Sequence, residues 1–160
     1  SFVGDVTSAP VVSGGTVYVG NHSGRLAALD VNSGDRKWVA RDGAIGPVWP
    51  AGDSVFAVTD LNELVRLDAS TGRRIWGTPL PNFVKDRPRR QSEVVAHYGP
   101  IIAGGRVIVA SNDGGLRSFD PVGGGLTGTT QIPDGATTAP VVAGGTLYVV
   151  STKGQLHAFR

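Results

Sequence analysis

An all-β propeller of about four four-stranded antiparallel blades is the fold class this sequence predicts, and three observations carry it. The stretch Ala9-Pro10-Val11-Val12-Ser13-Gly14-Gly15-Thr16-Val17-Tyr18-Val19-Gly20, running on to Asp30, Gly34 and Trp38, returns three more times. Its anchor prolines, Pro10, Pro47, Pro100 and Pro140, lie about 37, 53 and 40 residues apart, a period that belongs to propellers and solenoids. Glycine-rich turns cut each copy into short apolar runs, and no 3.6-residue pattern persists long enough to support a helix. A four-stranded unit of this size cannot cover both of its faces alone, so units must stack, and radial stacking yields a propeller.

Taken in order, Ser1 to Ser8 reads as the tail of a preceding unit. In the first full unit, Pro10-Val11-Val12 is a short strand and Gly14-Gly15 supplies the positive φ angles of a two-residue hairpin. Thr16 to Gly20 is the second strand, Arg25 to Leu29 the third, and Asp35 to Arg41 an outer strand carrying Trp38. The second unit repeats the scheme, with Asn62 standing where Gly24, Gly114 and Gly154 close the equivalent turn. Asparagine is the side chain best suited to the left-handed backbone expected there. The third unit has Gly128 at the tryptophan position, so its outer strand should be the least anchored, and the fourth stops after three strands. The expected blades are roughly 9–45, 46–98 with an inserted loop at 79–97, 99–138 and an incomplete 139–160. The arrangement suits half of an eight-bladed ring, whose open ends would favour self-association.

Composition narrows the function classes. Of 160 residues, 18% are charged and the net charge is +2, too little to argue for nucleic acid as a partner. No apolar run approaches the ~18 residues of a membrane-spanning helix. Without cysteine there is neither a disulfide framework nor a thiolate metal site. Without methionine, even at position 1, the chain reads as a piece or mature remnant of a longer protein.

The recurrent element Ala28-Leu29-Asp30-Val31-Asn32-Ser33-Gly34-Asp35-Arg36-Lys37-Trp38 is echoed by Arg66-Leu67-Asp68-Ala69-Ser70-Thr71-Gly72-Arg73-Arg74-Ile75-Trp76, and in part by Asp120 and Gly124. It resembles the tryptophan-docking motif of quinoprotein-type propellers. Locally the aspartate can accept turn hydrogen bonds, the glycine allows positive φ, and the indole can stack on the next blade. These residues specify architecture. The order Asp5-Val6-Thr7-Ser8-Ala9-Pro10-Val11-Val12, then Gly24-Arg25-Leu26-Ala27-Ala28-Leu29-Asp30, and the close Gly154-Gln155-Leu156-His157-Ala158-Phe159-Arg160 resemble the C-terminal half of the BamB family, propeller lipoproteins of outer-membrane β-barrel assembly. The resemblance implies an eight-bladed ring anchored by an upstream lipid at the periplasmic face of the outer membrane. It also implies a non-catalytic scaffold, without a cofactor, that binds the periplasmic domain of BamA, the barrel-inserting subunit; unfolded outer-membrane proteins are a further candidate partner. In the family an Asp-Val-Asp loop before a blade start contributes to that contact. Asp5 matches its first carboxylate, and Thr7 stands where the second would be.

Turns that vary among the repeats, namely Asp5-Val6-Thr7, His22-Ser23, Asp60-Leu61, Asn112-Asp113, Thr152-Lys153 and the inserted loop, all leave from one rim, where recognition is expected. Within the loop, Arg87, Arg89 and Arg90 form a docking patch for an acidic surface or a solvated run. His22, His97 and His157 have no metal-like spacing. Two other functions stay open: a fragment of a quinone-dependent dehydrogenase, which would need calcium ligands and an aspartate base, and a propeller binding a different ligand.

Overall fold

The computed structural model describes residues 8–83 and 94–160, and among these every regular element is a β-strand. The strands form four antiparallel sheets, each a meander in which sequential strands are neighbours. The first holds β1 (Val11–Ser13), β2 (Thr16–Asn21), β3 (Arg25–Asp30) and β4 (Arg36–Ala40). The second holds β5 (Trp49–Ala51), β6 (Ser54–Val58), β7 (Glu63–Asp68) and β8 (Arg74–Pro79), and the third β9 (His97–Ala103), β10 (Arg106–Ser111), β11 (Gly115–Phe119) and β12 (Leu126–Gln131). The fourth has three strands, β13 (Val141–Ala143), β14 (Thr146–Val150) and β15 (Leu156–Phe159). The first two sheets make one compact unit, ending at Pro79, and the last two a second, beginning at Leu80.

Hairpin chemistry fixes the first two strands of every sheet. Gly14 and Gly15 are both left-handed (φ 54° and 73°), as are Gly104 with Gly105 and Gly144 with Gly145, which is the type I′ geometry that matches strand twist. In the second sheet only Gly52 of the Gly52-Asp53 pair is left-handed, so this hairpin takes the variant with glycine first. Register corrects one sequence anchor. Trp49 pairs with Phe56 as Val11 pairs with Tyr18, so Val48, not Pro47, occupies the place of Pro10. The first repeat step is therefore one residue longer than the prolines suggest, and the second one shorter.

Between the third and fourth strands the chain makes a wider turn built around an aspartate. The amides of Asn32 and Ser33 donate to Asp30 Oδ1 at 2.9 and 3.1 Å, and Gly34 N–H donates to the Asp30 carbonyl at 2.9 Å. Asp68 accepts from the amides of Ser70 and Thr71 and from both hydroxyls, and Asp120 from the amides of Val122 and Gly123. The hydroxyls of Ser70 and Thr71, ahead of the amides, hold the Asp68 carboxyl down at about 2, and the amides of Ser33 and Asn32 lower that of Asp30. Each wide turn is followed by a register shift at the same place, between Ala28 and Leu29, Arg66 and Leu67, and Ser118 and Phe119. A bulge re-aims the residue beyond it.

In the first sheet that residue is Trp38. Its indole is 7% exposed, tilts against Tyr18 with ring centroids 6.0 Å apart, and donates through Nε1 to the Ala69 carbonyl of the second sheet at 2.9 Å. Gly72 is required on two counts: its φ is 71°, and a Cβ there would come within 2.5 Å of the indole. Around this contact Tyr18, Leu26, Ala28 and Ala40 pack on Val55, Ala57, Val65 and Leu67. Completely burying a leucine such as Leu26 or Leu67 stabilises by about 1.5–3 kcal/mol over leaving it in water. The second unit lacks the indole. Gly128 pairs with Ser118 where Trp38 pairs with Ala28, and all six residues of β12 are exposed. Ile108, Ala110, Leu116, Ile132 and Ala136 pack instead against Leu147, Val149 and Phe159.

Candidate functional site

A meander sheet has two ends. The β1–β2 and β3–β4 turns and their counterparts leave from one, which we call the smooth end. The middle turns and the linkers between sheets leave from the other, the rim.

The rim turns share one polar device at their base. The residue that ends the second strand or directly follows it is buried and polar in every sheet: Asn21, Thr59, Ser111 and Ser151. Asn21 Oδ1 accepts from Ser23 N–H and Arg25 N–H, Thr59 Oγ1 from Glu63 N–H, and Ser151 Oγ from Gln155 N–H. The turns close through left-handed Gly24, Asn62, Gly114 and Gly154 (φ 73°, 55°, 91° and 76°). In the third sheet Ser111 is diverted, and Asp113 accepts from Gly115 N–H in its stead.

The linkers repeat a second device. Asp42-Gly43-Ala44 and Asp134-Gly135-Ala136 bring the chain from one sheet to the next. Ala44 N–H donates to Asn21 O, and Ala136 N–H to Ser111 O; one residue on, Ile45 N–H donates to Val58 O and Thr137 N–H to Val150 O. The glycine is a steric requirement, because a Cβ at Gly43 would lie 2.7 Å from Asn21 O and one at Gly135 2.0 Å from Asn112 O. Ser8 N–H donates to Gly20 O in the same manner. By this spacing Asp5-Val6-Thr7 is the sequence counterpart of the two Asp-Gly-Ala linkers, a tripeptide repeat that was open to sequence reading and went unused.

Each linker aspartate meets a cation from the sheet it enters. Asp42 accepts from Arg74 at 3.2 Å, and Asp134 pairs with Lys153 at 2.9 Å. Arg74 folds back along its own strand over Gly77, where a Cβ would clash with the guanidinium, and also reaches Glu63 at 2.7 Å. Burial pushes the Asp42 carboxyl up; Arg74 opposes this, while Glu63 and Asp60 add to it. Beside these acids Leu61 stands 75% exposed at the tip of its turn. The rim of the first unit thus holds two carboxylates on one guanidinium, with Asp60 acting on Asp42 and an apolar tip beside them.

In the second unit the rim holds a buried chain of polar groups. Arg117 lies over Gly115, pairs with Asp113 at 2.5 Å and donates to Ser111 Oγ at 3.1 Å. His97 Nδ1 is 2.7 Å from Ser111 Oγ and Nε2 is 2.9 Å from the Pro81 carbonyl. Because a carbonyl only accepts, the imidazole carries its proton on Nε2, and Nδ1 accepts from the Ser111 hydroxyl. Burial lowers the His97 pKa, and the neighbouring Arg117 adds to this. Asp113 is desolvated too, yet Arg117 and Gly115 N–H bring its carboxyl below the usual range. Ser111 and Arg117 link His97 to Asp113, a connection that sequence spacing does not show. The same network ties down both ends of the inserted segment. Val95 N–H donates to Asn82 O, Phe83 bridges to Val94, and the Asn112 side chain accepts from Ala96 N–H.

Of the other sequence-flagged residues, Asp5, Thr7, Arg87, Arg89 and Arg90 lie outside the described residues. Asp30, Gly34, Asp68, Gly72, Asp120 and Gly124 all sit in smooth-end turns, separated sheet by sheet. His157 is on β15 with Nε2 buried and without a hydrogen-bond partner. Among the described residues no three His, Asp or Glu side chains converge in a way that could hold a metal ion.

A family model described as the outer membrane protein assembly factor BamB matches residues 1–78 and 82–160. The outer membrane protein assembly factor BamB of Salmonella typhimurium is 26% identical over 115 residues, which is 71% of this chain and 26% of that protein. The crystal structure of BamB from Moraxella catarrhalis superposes with a TM-score of 0.77 at 23% identity, covering 96% of this chain and 49% of that one. A quinohemoprotein alcohol dehydrogenase from Pseudomonas putida HK5 superposes at 0.69 with 15% identity, covering 91% of this chain and 28% of that one. The fold is that of a β-propeller, and the chain spans about half the length of the solved BamB it matches.

Proposed function

Since the chain belongs to the family of the outer membrane protein assembly factor BamB, we propose that it is a non-catalytic scaffold of outer-membrane β-barrel assembly. In this reading it works in the periplasm and holds the periplasmic domain of a BamA-like subunit against its rim. The observation that carries the reading is the contrast between the two ends of the sheets. The wide smooth-end turns repeat one aspartate whose carboxylate goes to amides of its own turn, whereas the rim turns differ in sequence from sheet to sheet and carry an exposed leucine at Leu61. Asp5, in the linker position of Asp42 and Asp134, and the Arg87, Arg89 and Arg90 run are the contact residues proposed, with Thr7 beside them.

A binding titration with the purified periplasmic domain of the partner tests this. Asp5→Ala, a charge reversal of Arg87, Arg89 and Arg90, and Leu61→Ser are each expected to weaken binding by about tenfold or more. Val122→Ser, at an exposed smooth-end turn, should leave binding unchanged. Equal binding by all four variants removes the rim from the account. The likeness to the quinohemoprotein dehydrogenase is one of fold, and dye reduction with added quinone and calcium is expected to stay at background.

A further inference from the structure

One of the groups that fasten the inserted segment to the third sheet can take up a proton. The residues concerned all lie in the second unit. Two arms of the segment, Leu80 to Phe83 and Val94 to Ala96, are joined to each other by the bond from Val95 N–H to Asn82 O at 3.0 Å and by the bridge between Phe83 and Val94. Asn112 grips the second arm: its Oδ1 accepts from Ala96 N–H at 2.9 Å, its Nδ2 donates to Val94 O at 3.4 Å, and its own N–H donates to Ala96 O at 3.1 Å. His97 grips the first arm through Nε2, on the Pro81 carbonyl at 2.9 Å.

The two grips differ in chemistry. A carboxamide such as that of Asn112 does not titrate, whereas an imidazole does so near neutrality. In its neutral form the buried His97 ring is satisfied at both nitrogens, Nδ1 by the Ser111 hydroxyl at 2.7 Å and Nε2 by Pro81 O. A further proton has to enter at Nδ1. The Ser111 hydroxyl, fully buried and already accepting from Arg117 at 3.1 Å, then loses the acceptor for its own hydrogen. The charged neighbours do not compensate. Arg117, from β11, is itself a cation, and the Asp113 carboxylate, from the β10–β11 turn, is held by Arg117 and by Gly115 N–H. Leu80 to Phe83 carry no titratable side chain, β10 carries only Arg106 at its far end, and Asp134 of the following linker is paired with Lys153. An imidazolium in this place is a buried charge beside a like charge, and moving the ring into water relieves both costs.

We propose that His97 is a proton-operated clasp: neutral, it holds the arm from Leu80 to Phe83 on the third sheet, and protonated, it lets that arm go while Asn112 keeps its hold on Val94 to Ala96. Opening frees a ring that the closed form keeps neutral, so the open population rises as pH falls below 6.5, by up to about tenfold per pH unit, and levels off where the closed form titrates as well. The inference does not depend on the rim reading.

Amide hydrogen exchange of the 160-residue chain, followed by NMR and expressed as protection relative to the unstructured rate at each pH, reads the two arms separately. Val95 N–H, which rests on Asn82 O, should exchange through a local opening that dilute urea leaves unchanged. Its protection should fall by about tenfold between about pH 6.5 and pH 5, with Ala96 N–H, held by Asn112, the slower of the two throughout. His97→Gln, which keeps a donor and an acceptor but cannot charge, should abolish the fall. Were that variant unfolded, Ser111→Ala takes its place and should shrink the fall, because the neutral ring then loses its donor. The proposal is overturned by Val95 protection that stays level across this range, by Val95 exchange that occurs only through urea-sensitive unfolding, or by a fall that is undiminished in either variant.

Discussion

The two ends of these sheets solve the same problem, reversing the chain, with opposite consequences. At the smooth end the solution is stereotyped: left-handed hairpin glycines, or an aspartate whose carboxylate accepts from the amides two and three residues on. At the rim the turns rest on one buried polar residue each, and everything above that base differs from sheet to sheet. The carboxylates reach across loops to Arg74, Lys153 and Arg117. The comparison teaches that repetition fixes the scaffold at one end and frees the other, although both ends fasten sheet to sheet: the smooth end through Trp38, the rim through the Asp-Gly-Ala linkers.

The largest expected effect strikes the smooth-end fastening. Trp38→Ala should cost about 3–5 kcal/mol in urea unfolding of the first unit, while Leu126→Ala, on the outer strand without an indole, should stay within about 0.5 kcal/mol. A similar cost for both would erase the distinction between the two sheet pairs. Next comes the rim fastening. Gly135→Ala combines a left-handed φ of 73° with a Cβ 2.0 Å from Asn112 O, whereas Gly145→Ala has the same φ and open space around it. The second should cost about 1–2 kcal/mol and the first clearly more, so equal melting temperatures would mean that the linker yields easily.

A smaller effect is set by pH. The folded state lowers the His97 pKa from its ordinary 6.5, so the unfolded chain binds the proton more readily. Stability from this group is therefore intact above pH 6.5 and falls as pH drops below it, towards the folded value. Protonation would place a hydrogen on Nδ1 against Ser111 Oγ, which already accepts from Arg117. His97→Gln should flatten this part of the profile, and an unchanged slope would assign it elsewhere. Smallest of all, Asn62→Ala should destabilise by about 1 kcal/mol through its left-handed φ, and Asn62→Gly should be nearly neutral, as thermal unfolding can show.

Local chemistry was legible in the sequence. The pairing of Val17-Tyr18-Val19 with Leu29-Ala28-Ala27, the hairpin glycines and the substitution of Asn62 for glycine all follow from residues within one turn of each other. Anchoring on Pro47 misled by one residue because a linker proline, unlike a hairpin glycine, is not tied to strand register. Gly128 at the tryptophan position marked the third outer strand as the least anchored, and all six residues of β12 are exposed. The rim networks were hidden for a different reason. Arg74 meets Asp42 across 32 residues only because Gly77 leaves room for its side chain, and Arg117 relies likewise on Gly115. Neither alignment can be read from spacing. The Asp-Gly-Ala repeat could have been, and would have put Asp5 in register with Asp42 and Asp134.

Hydrogen exchange of the chain, alone and with the partner's periplasmic domain, compares the two ends in one experiment. The account predicts added protection at residues 22–24, 41–46, 59–62, 94–97, 112–114, 132–137 and 152–155, with none at smooth-end turns 31–34, 69–72 and 121–124. Protection confined to those smooth-end turns would contradict it.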